Sequence, residues 1–133
     1  MCRAVVSSTG IGVTLYMDAN ALSPRYARDE VREYLAGHPN VVDDACTCAS
    51  ELVTNAVQAS YDTRPVELIM AERETGVYLA VRDYAAGVPM QALAPHAETR
   101  GHGLLLVAGL SDEWGWDKLS DGKIVWCSIG YGG

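Results

Sequence analysis

Residues 41–60 constrain the fold more than any other stretch of this sequence. Val42, Ala45, Ala49, Leu52, Val53 and Ala56 recur at helical spacing and form one apolar stripe. A long helix with one apolar side must bury that side against a second layer. At about 100° per residue, Asp44, Thr47, Glu51, Asn55 and Gln58 fall in a single polar sector beside the stripe. Such a sector is ordinarily just a solvated face. Here Glu51 and Asn55 sit one turn apart, with no Lys or Arg at i+4 to make a surface pair. Both also carry hard oxygen donors, which suit magnesium.

The other layer is legible as strands. Val13, Leu15 and Met17 alternate within 12–17, Val66, Leu68 and Met70 alternate in a second run, and Val77, Leu79 and Val81 in a third. The link Arg73-Glu74-Thr75-Gly76 is short enough to close an antiparallel hairpin. Between the first strand and the long helix, Ser23-Pro24 offers an N-cap followed by Pro at the first helical position. That spacing predicts a helix to about Ala36, stopped by Gly37, while the turn Asp62-Thr63-Arg64-Pro65 ends the long helix. Residues 84–100 lack periodicity and are rich in Ala, Pro and Gly, as expected of a functional or mobile loop. Gly101-His102-Gly103 then opens a short apolar helix from Leu104 to about Leu110. Strands at about 112–117 and 123–129, joined by the turn Ser120-Asp121-Gly122, close the chain.

The resulting order, β-α-α-β-β-loop-α-β-β, does not alternate strictly and disfavours a parallel doubly wound sheet. The expected fold is α+β, a two-layer sandwich whose mixed, mostly antiparallel sheet carries its helices on one face. With 133 residues the chain fits a single domain spanning 1–133.

Charge and composition narrow the function. A net charge of −7 without a Lys/Arg cluster argues against direct binding of nucleic acid or an anionic membrane surface. It leaves phosphate ligands open, because backbone N–H groups and a metal ion can build a phosphate site. The apolar stretches are too short to span a membrane, and the N-terminus has no sustained apolar run of the secretory type. A cytoplasmic protein is expected. The cysteines at 2, 46, 48 and 127 are expected as free thiols, since Cys46 and Cys48 would point about 200° apart on a helix.

Two further features carry chemistry. Asp83 extends the face of Val77, Leu79 and Val81 by period two, so its carboxylate should point inward at a strand end. A buried Asp needs donors. Either it caps the following loop through backbone N–H groups near Ala85–Gly87, or it accepts from an exocyclic amino group such as that of adenine, with Gly87 letting a flat ring approach. Gly101-His102-Gly103 before a helix either simply starts that helix or presents N–H groups and the helix dipole to a phosphate chain.

Taken in order, Glu51-Leu52-Val53-Thr54-Asn55-Ala56-Val57, Val81-Arg82-Asp83 with Gly87, and Gly101-His102-Gly103-Leu104 resemble the N, G1 and G2 boxes of the histidine-kinase-like (Bergerat, GHKL) ATPase superfamily. The chain looks most like the anti-sigma-factor serine/threonine kinases of actinobacterial type, over about residues 13 to 130. The resemblance implies the Bergerat ATP-binding fold, with ATP and magnesium as cofactors. Glu51 would be the general base and Asn55 the magnesium ligand. Asp83 and Gly87 would border adenine, and Gly101, His102, Gly103 and Leu104 the phosphates, with 88–100 as a lid. It also implies a serine/threonine protein kinase acting on a STAS-type anti-anti-sigma protein, sequestration of a sigma factor, and a homodimer. Three positions depart from the pattern: Ala85 where a Gly is common, Ile124 where a Thr often helps anchor adenine, and Gln58 where a His or basic residue is frequent. The first two leave open a second reading, a non-catalytic module that works through protein contacts.

Overall fold

The computed structural model describes residues 4–9, 12–60, 64–85 and 102–132, with side chains for all of these except 4–9, 102 and 103. Nine elements run in the order β1 (Ala4–Thr9), β2 (Gly12–Met17), α1 (Ser23–Tyr34), α2 (Val42–Ala59), β3 (Val66–Glu72), β4 (Gly76–Asp83), α3 (His102–Leu110), β5 (Glu113–Leu119) and β6 (Gly122–Gly130). The strands form one six-stranded sheet in the order β1-β2-β3-β4-β6-β5, and every described pairing is antiparallel. The α+β two-layer sandwich expected from the sequence is present. The expected "mixed" character is absent among the described strands.

Register explains which side of the sheet is buried. Partners directly across a ladder share a face, so Leu15, Leu68, Val81 and Val125 form one row, and Val13, Met70, Leu79 and Cys127 the next. All but the half-buried Val13 lie in the buried core cluster. The helical stripe of Ala45, Ala49, Leu52, Val53 and Ala56 buries against them, α2 packing on β3, β4 and β6. Val42, counted in the stripe, is only half-buried. On its outer side α2 meets Ala27, Val31 and Leu35, all fully buried. At its start α2 has no side-chain cap, but Asp43 and Asp44 occupy the first turn, where negative charge favours the helix dipole.

The cysteines follow the helix geometry. Cys46 turns toward α1, its thiol donating to the Arg28 carbonyl at 3.4 Å, whereas Cys48 turns toward the sheet and Cys127. Both, with Cys127, are free and buried. The hydrogen bond with Cys48, reinforced by burial, pushes the Cys127 thiol far above its ordinary range.

Three local expectations are corrected. β1 adds an edge strand paired to β2, in a stretch (Ala4-Val5-Val6-Ser7-Ser8-Thr9) whose β-branched residues lack the apolar–polar alternation that flags a strand. The cap position of α1 is Leu22, not Ser23, which is the buried first helical residue; its hydroxyl donates to the Asp18 carbonyl instead. The helix ends at Tyr34, with the Leu35 N–H bonded to the Val31 carbonyl, and Gly37 does not supply a left-handed cap. The expected turn at 62–65 lies largely outside the described residues, as does most of the expected loop at 84–100.

Candidate functional site

The topology gathers the candidate residues at one end of the sandwich. β3 starts beside the end of β4, because Glu67 pairs with Arg82 and Leu68 with Val81. Only residues 60–65 connect α2 to β3, so the last turns of α2, with Asn55, lie at that same end. At its other end β5 begins opposite Ser128, and α3 is tied there by the Ser111 N–H to Val107 carbonyl bond and the Asp112 N–H to Ser128 carbonyl bond, 3.0 and 2.9 Å. α3 packs on α2, β5 and β6, so its His102 start lies toward the Asp83 end.

Asp83 is the best-defined group there. It is the last residue of β4 and 1% exposed, as its phase with Val77, Leu79 and Val81 requires. Its Oδ1 accepts the Ala85 N–H at 3.0 Å, which realises the loop-capping bond read from the sequence. The other oxygen, Oδ2, lies 2.9 Å from Nζ of Lys123, which is itself 1% exposed. The pair closes the last rung between β4 and β6, where Asp83 stands directly opposite Lys123. The approach misses hydrogen-bond geometry, and Nζ has no hydrogen-bond acceptor.

Lys123 escaped the sequence reading, although its signal was present. Val125, Cys127 and Ile129 point to the core, and period two carries that face back to Lys123. The same register separates Lys123 from Ile124. Ile124 pairs with Arg82 and Asp117 and therefore points to the opposite face, so Lys123, not Ile124, stands beside Asp83. A shift of one residue along a strand exchanges the two faces.

Gly122 makes the close approach possible. Its φ is +148°, and a Cβ there would stand 2.0 Å from the Asp83 carbonyl oxygen. On the outer face Arg82 steadies the strand end: Nε donates to the Asp83 carbonyl at 3.2 Å, the guanidinium pairs with Asp121, and it lies 4.0 Å over the Tyr84 ring. Tyr84 in turn donates to Glu67 at 2.6 Å. Ala85 is buried, and no described residue other than glycine has a positive φ, so Ala at this position imposes no strain.

On α2 the two polar residues differ. Asn55 is 8% exposed and its Nδ2 has no hydrogen-bond partner among the described residues, although a buried amide ordinarily finds one. Glu51, one turn earlier, is half-buried, and no described Lys or Arg pairs with it. Thr54, between them in sequence, donates its hydroxyl to the Ser50 carbonyl at 2.7 Å. Asp44 and Gln58, from the same polar sector, are exposed.

Leu104 is 1% exposed and belongs to the core cluster, so it anchors the start of α3. His102 and Gly103 form the first turn of that helix. Gly87 and Gly101 lie outside the described residues. No cluster of three or more His, Cys, Asp or Glu suited to a metal occurs among the described residues. Magnesium bound largely by phosphates asks for only one or two protein oxygens. The buried Asn55 side chain carries one such oxygen, Oδ1, while its unpartnered Nδ2 is a donor that suits a phosphate oxygen rather than a metal.

The comparisons agree with this architecture. Residues 18–129 match the Histidine kinase-like ATPase domain. Among solved structures, that of the RsbU and RsbW domains of Rv1364c from Mycobacterium tuberculosis resembles the chain with a TM-score of 0.70 over 90% of its length, at 20% sequence identity. The chain spans 32% of that longer one, and at this identity the likeness concerns the fold alone. No curated protein sequence matches. Covering seven of the nine elements, from α1 to β6, the family match establishes that the chain belongs to the histidine kinase-like ATPase domain family.

Proposed function

We propose that this chain binds magnesium–ATP at the Asp83 end of the sandwich and transfers the γ-phosphoryl group to a Ser or Thr on a STAS-type anti-anti-sigma protein, and that it also sequesters a sigma factor. The observation that carries the reading is Asp83, fully buried at the end of β4 and on the same end of the sandwich as the last turns of α2 with Asn55, in a fold of this family.

Asn55 would hold magnesium through Oδ1, and the metal, when bound, offsets phosphate charge. Asp83 accepts from the adenine amino group, with Oδ1 already oriented by the Ala85 N–H. Gly87 borders the base. Gly101, His102 and Gly103 offer N–H groups at the α3 start to the phosphates, a surface suited to anions. Glu51 takes the proton from the acceptor hydroxyl as that oxygen attacks phosphorus. It is free to do so, since no described cation engages it. No described helix is long and apolar enough to cross a membrane, which agrees with action in the cytoplasm. A homodimer is the assembly the family reading carries with it.

The test is transfer of labelled phosphate from magnesium–ATP to a cognate anti-anti-sigma protein. Glu51→Ala should abolish transfer and spare ATP binding, whereas Asn55→Ala should weaken both. Absence of transfer to a folded partner at any concentration rules out the kinase. A second reading, a non-catalytic module, is favoured by the Lys123 ammonium already seated on Asp83. Calorimetric titration with magnesium–ATP separates the two, since micromolar affinity removes the ground for it.

A further inference from the structure

Lys123 is the least expected group in the molecule. It is fully buried near the start of β6, next to a glycine where any side chain would be strained, and among the described residues its ammonium meets only one oxygen of Asp83. An ammonium carries three N–H donors, and among the described residues none of them finds an acceptor in good geometry. Leaving such donors unsatisfied away from water is costly. Asp83, by contrast, keeps acceptor capacity, because a carboxylate offers about four lone-pair positions and, among the described residues, only Ala85 N–H and the ion pair draw on them. The two side chains thus present an acceptor and a charged donor next to one another at the base end of the site.

We propose that Lys123 is a specificity-determining residue of the nucleotide site, donating a hydrogen bond to ring nitrogen N1 of adenine beside the 6-amino group that Asp83 accepts. This rests on the reading of Asp83 as the amino-group acceptor. Given that placement, the purine edge decides the match. Adenine sets an N–H donor against the carboxylate and the N1 lone pair against the ammonium. Hypoxanthine in the same pose sets its 6-oxo oxygen against the carboxylate and its N1–H against the ammonium, both of them like against like. A site that hydrogen-bonds a ligand edge rejects an analogue that leaves its buried groups unpaired. The ammonium therefore selects for a 6-aminopurine with an unprotonated N1.

The experiment is calorimetric titration of the full chain with ADP, 1-deaza-ADP (which lacks only the N1 nitrogen) and IDP, each with magnesium. The unmodified protein should bind 1-deaza-ADP roughly tenfold or more weakly than ADP, the range for a hydrogen bond from a charged donor. IDP should bind more weakly still. Lys123→Met should bind ADP and 1-deaza-ADP alike, and Lys123→Gln, which keeps a neutral donor, should retain part of the difference. Equal affinity of the unmodified protein for ADP and 1-deaza-ADP overturns the proposal and makes the pair structural only, while ADP binding itself stands. A preference that survives in Lys123→Met also overturns it. No binding of any adenine nucleotide takes down the nucleotide reading and this inference together. Should Lys123→Met fail to fold, the analogue ratio in the unmodified protein and in Lys123→Gln decides the matter.

Discussion

The two ends of the sandwich use polar groups in opposite ways. At the end where β4 begins, polar groups are peripheral and mostly answered locally. Asp112 Oδ2 accepts the Gly130 N–H at 2.7 Å, the Tyr131 N–H reaches the Thr75 carbonyl at 3.0 Å, and the Glu72 N–H reaches the Tyr34 hydroxyl at 3.1 Å. His38 stacks on Tyr131 with ring centroids 4.1 Å apart. The one buried polar atom left over there, among the described residues, is the neutral hydroxyl of Tyr131. At the other end, where β4 stops, the groups left over are an ammonium and an amide, Lys123 Nζ and Asn55 Nδ2, both deep inside. Satisfied polar groups at an end hold strands together. Buried donors without acceptors at the other end are the groups that the proposed nucleotide reading would employ.

The contrast is strongest at Asp83. Asp83→Ala removes the counter-charge of a fully buried Lys and should destabilise the protein by about 3–5 kcal/mol, as breaking a buried pair does. Urea unfolding measures this, and the same variant should lose the rise in melting temperature that magnesium–ATP confers on the unmodified protein. A loss under about 1 kcal/mol would mean that the pair is solvated and the contrast between the ends is wrong.

Gly122→Ala comes next. The added methyl collides with the Asp83 carbonyl at a φ that L residues avoid, so a cost on the order of 1–3 kcal/mol is expected, together with weaker nucleotide binding as Asp83 shifts. At the opposite end, Asp112→Ala removes a hydrogen bond from an exposed carboxylate. It should cost about 1 kcal/mol and leave nucleotide affinity unchanged. If calorimetry instead shows weaker nucleotide binding in Asp112→Ala, the ends are coupled rather than divided by task.

The smallest effect on stability is expected at Asn55. An amide with no partner for Nδ2 contributes little to the apo fold, so Asn55→Ala should change the urea midpoint by the equivalent of about 1 kcal/mol or less. Its nucleotide-dependent stabilisation should nevertheless vanish. A large apo destabilisation with intact nucleotide binding would reassign Asn55 to the structural half of the comparison.

The sequence by itself determined the elements and the direction of their side chains, because both follow from local periodicity. The stripe from Ala45 to Ala56 announced α2, and the alternation from Val77 to Val81 was enough to turn Asp83 inward. It also pointed to the family, which the match over residues 18–129 bears out. What only the tertiary structure decided was who meets whom. The pairing of Asp83 with Lys123 depends on the β4–β6 register, which joins strands with α3 and β5 lying between them in the chain. Without that register, nothing in the sequence set Lys123 opposite Asp83. β1 was missed for the same reason, because an edge strand without alternation is specified by its partner β2 rather than by its own pattern. Periodicity tells a side chain which way to point; only the packed sheet supplies the group it points toward.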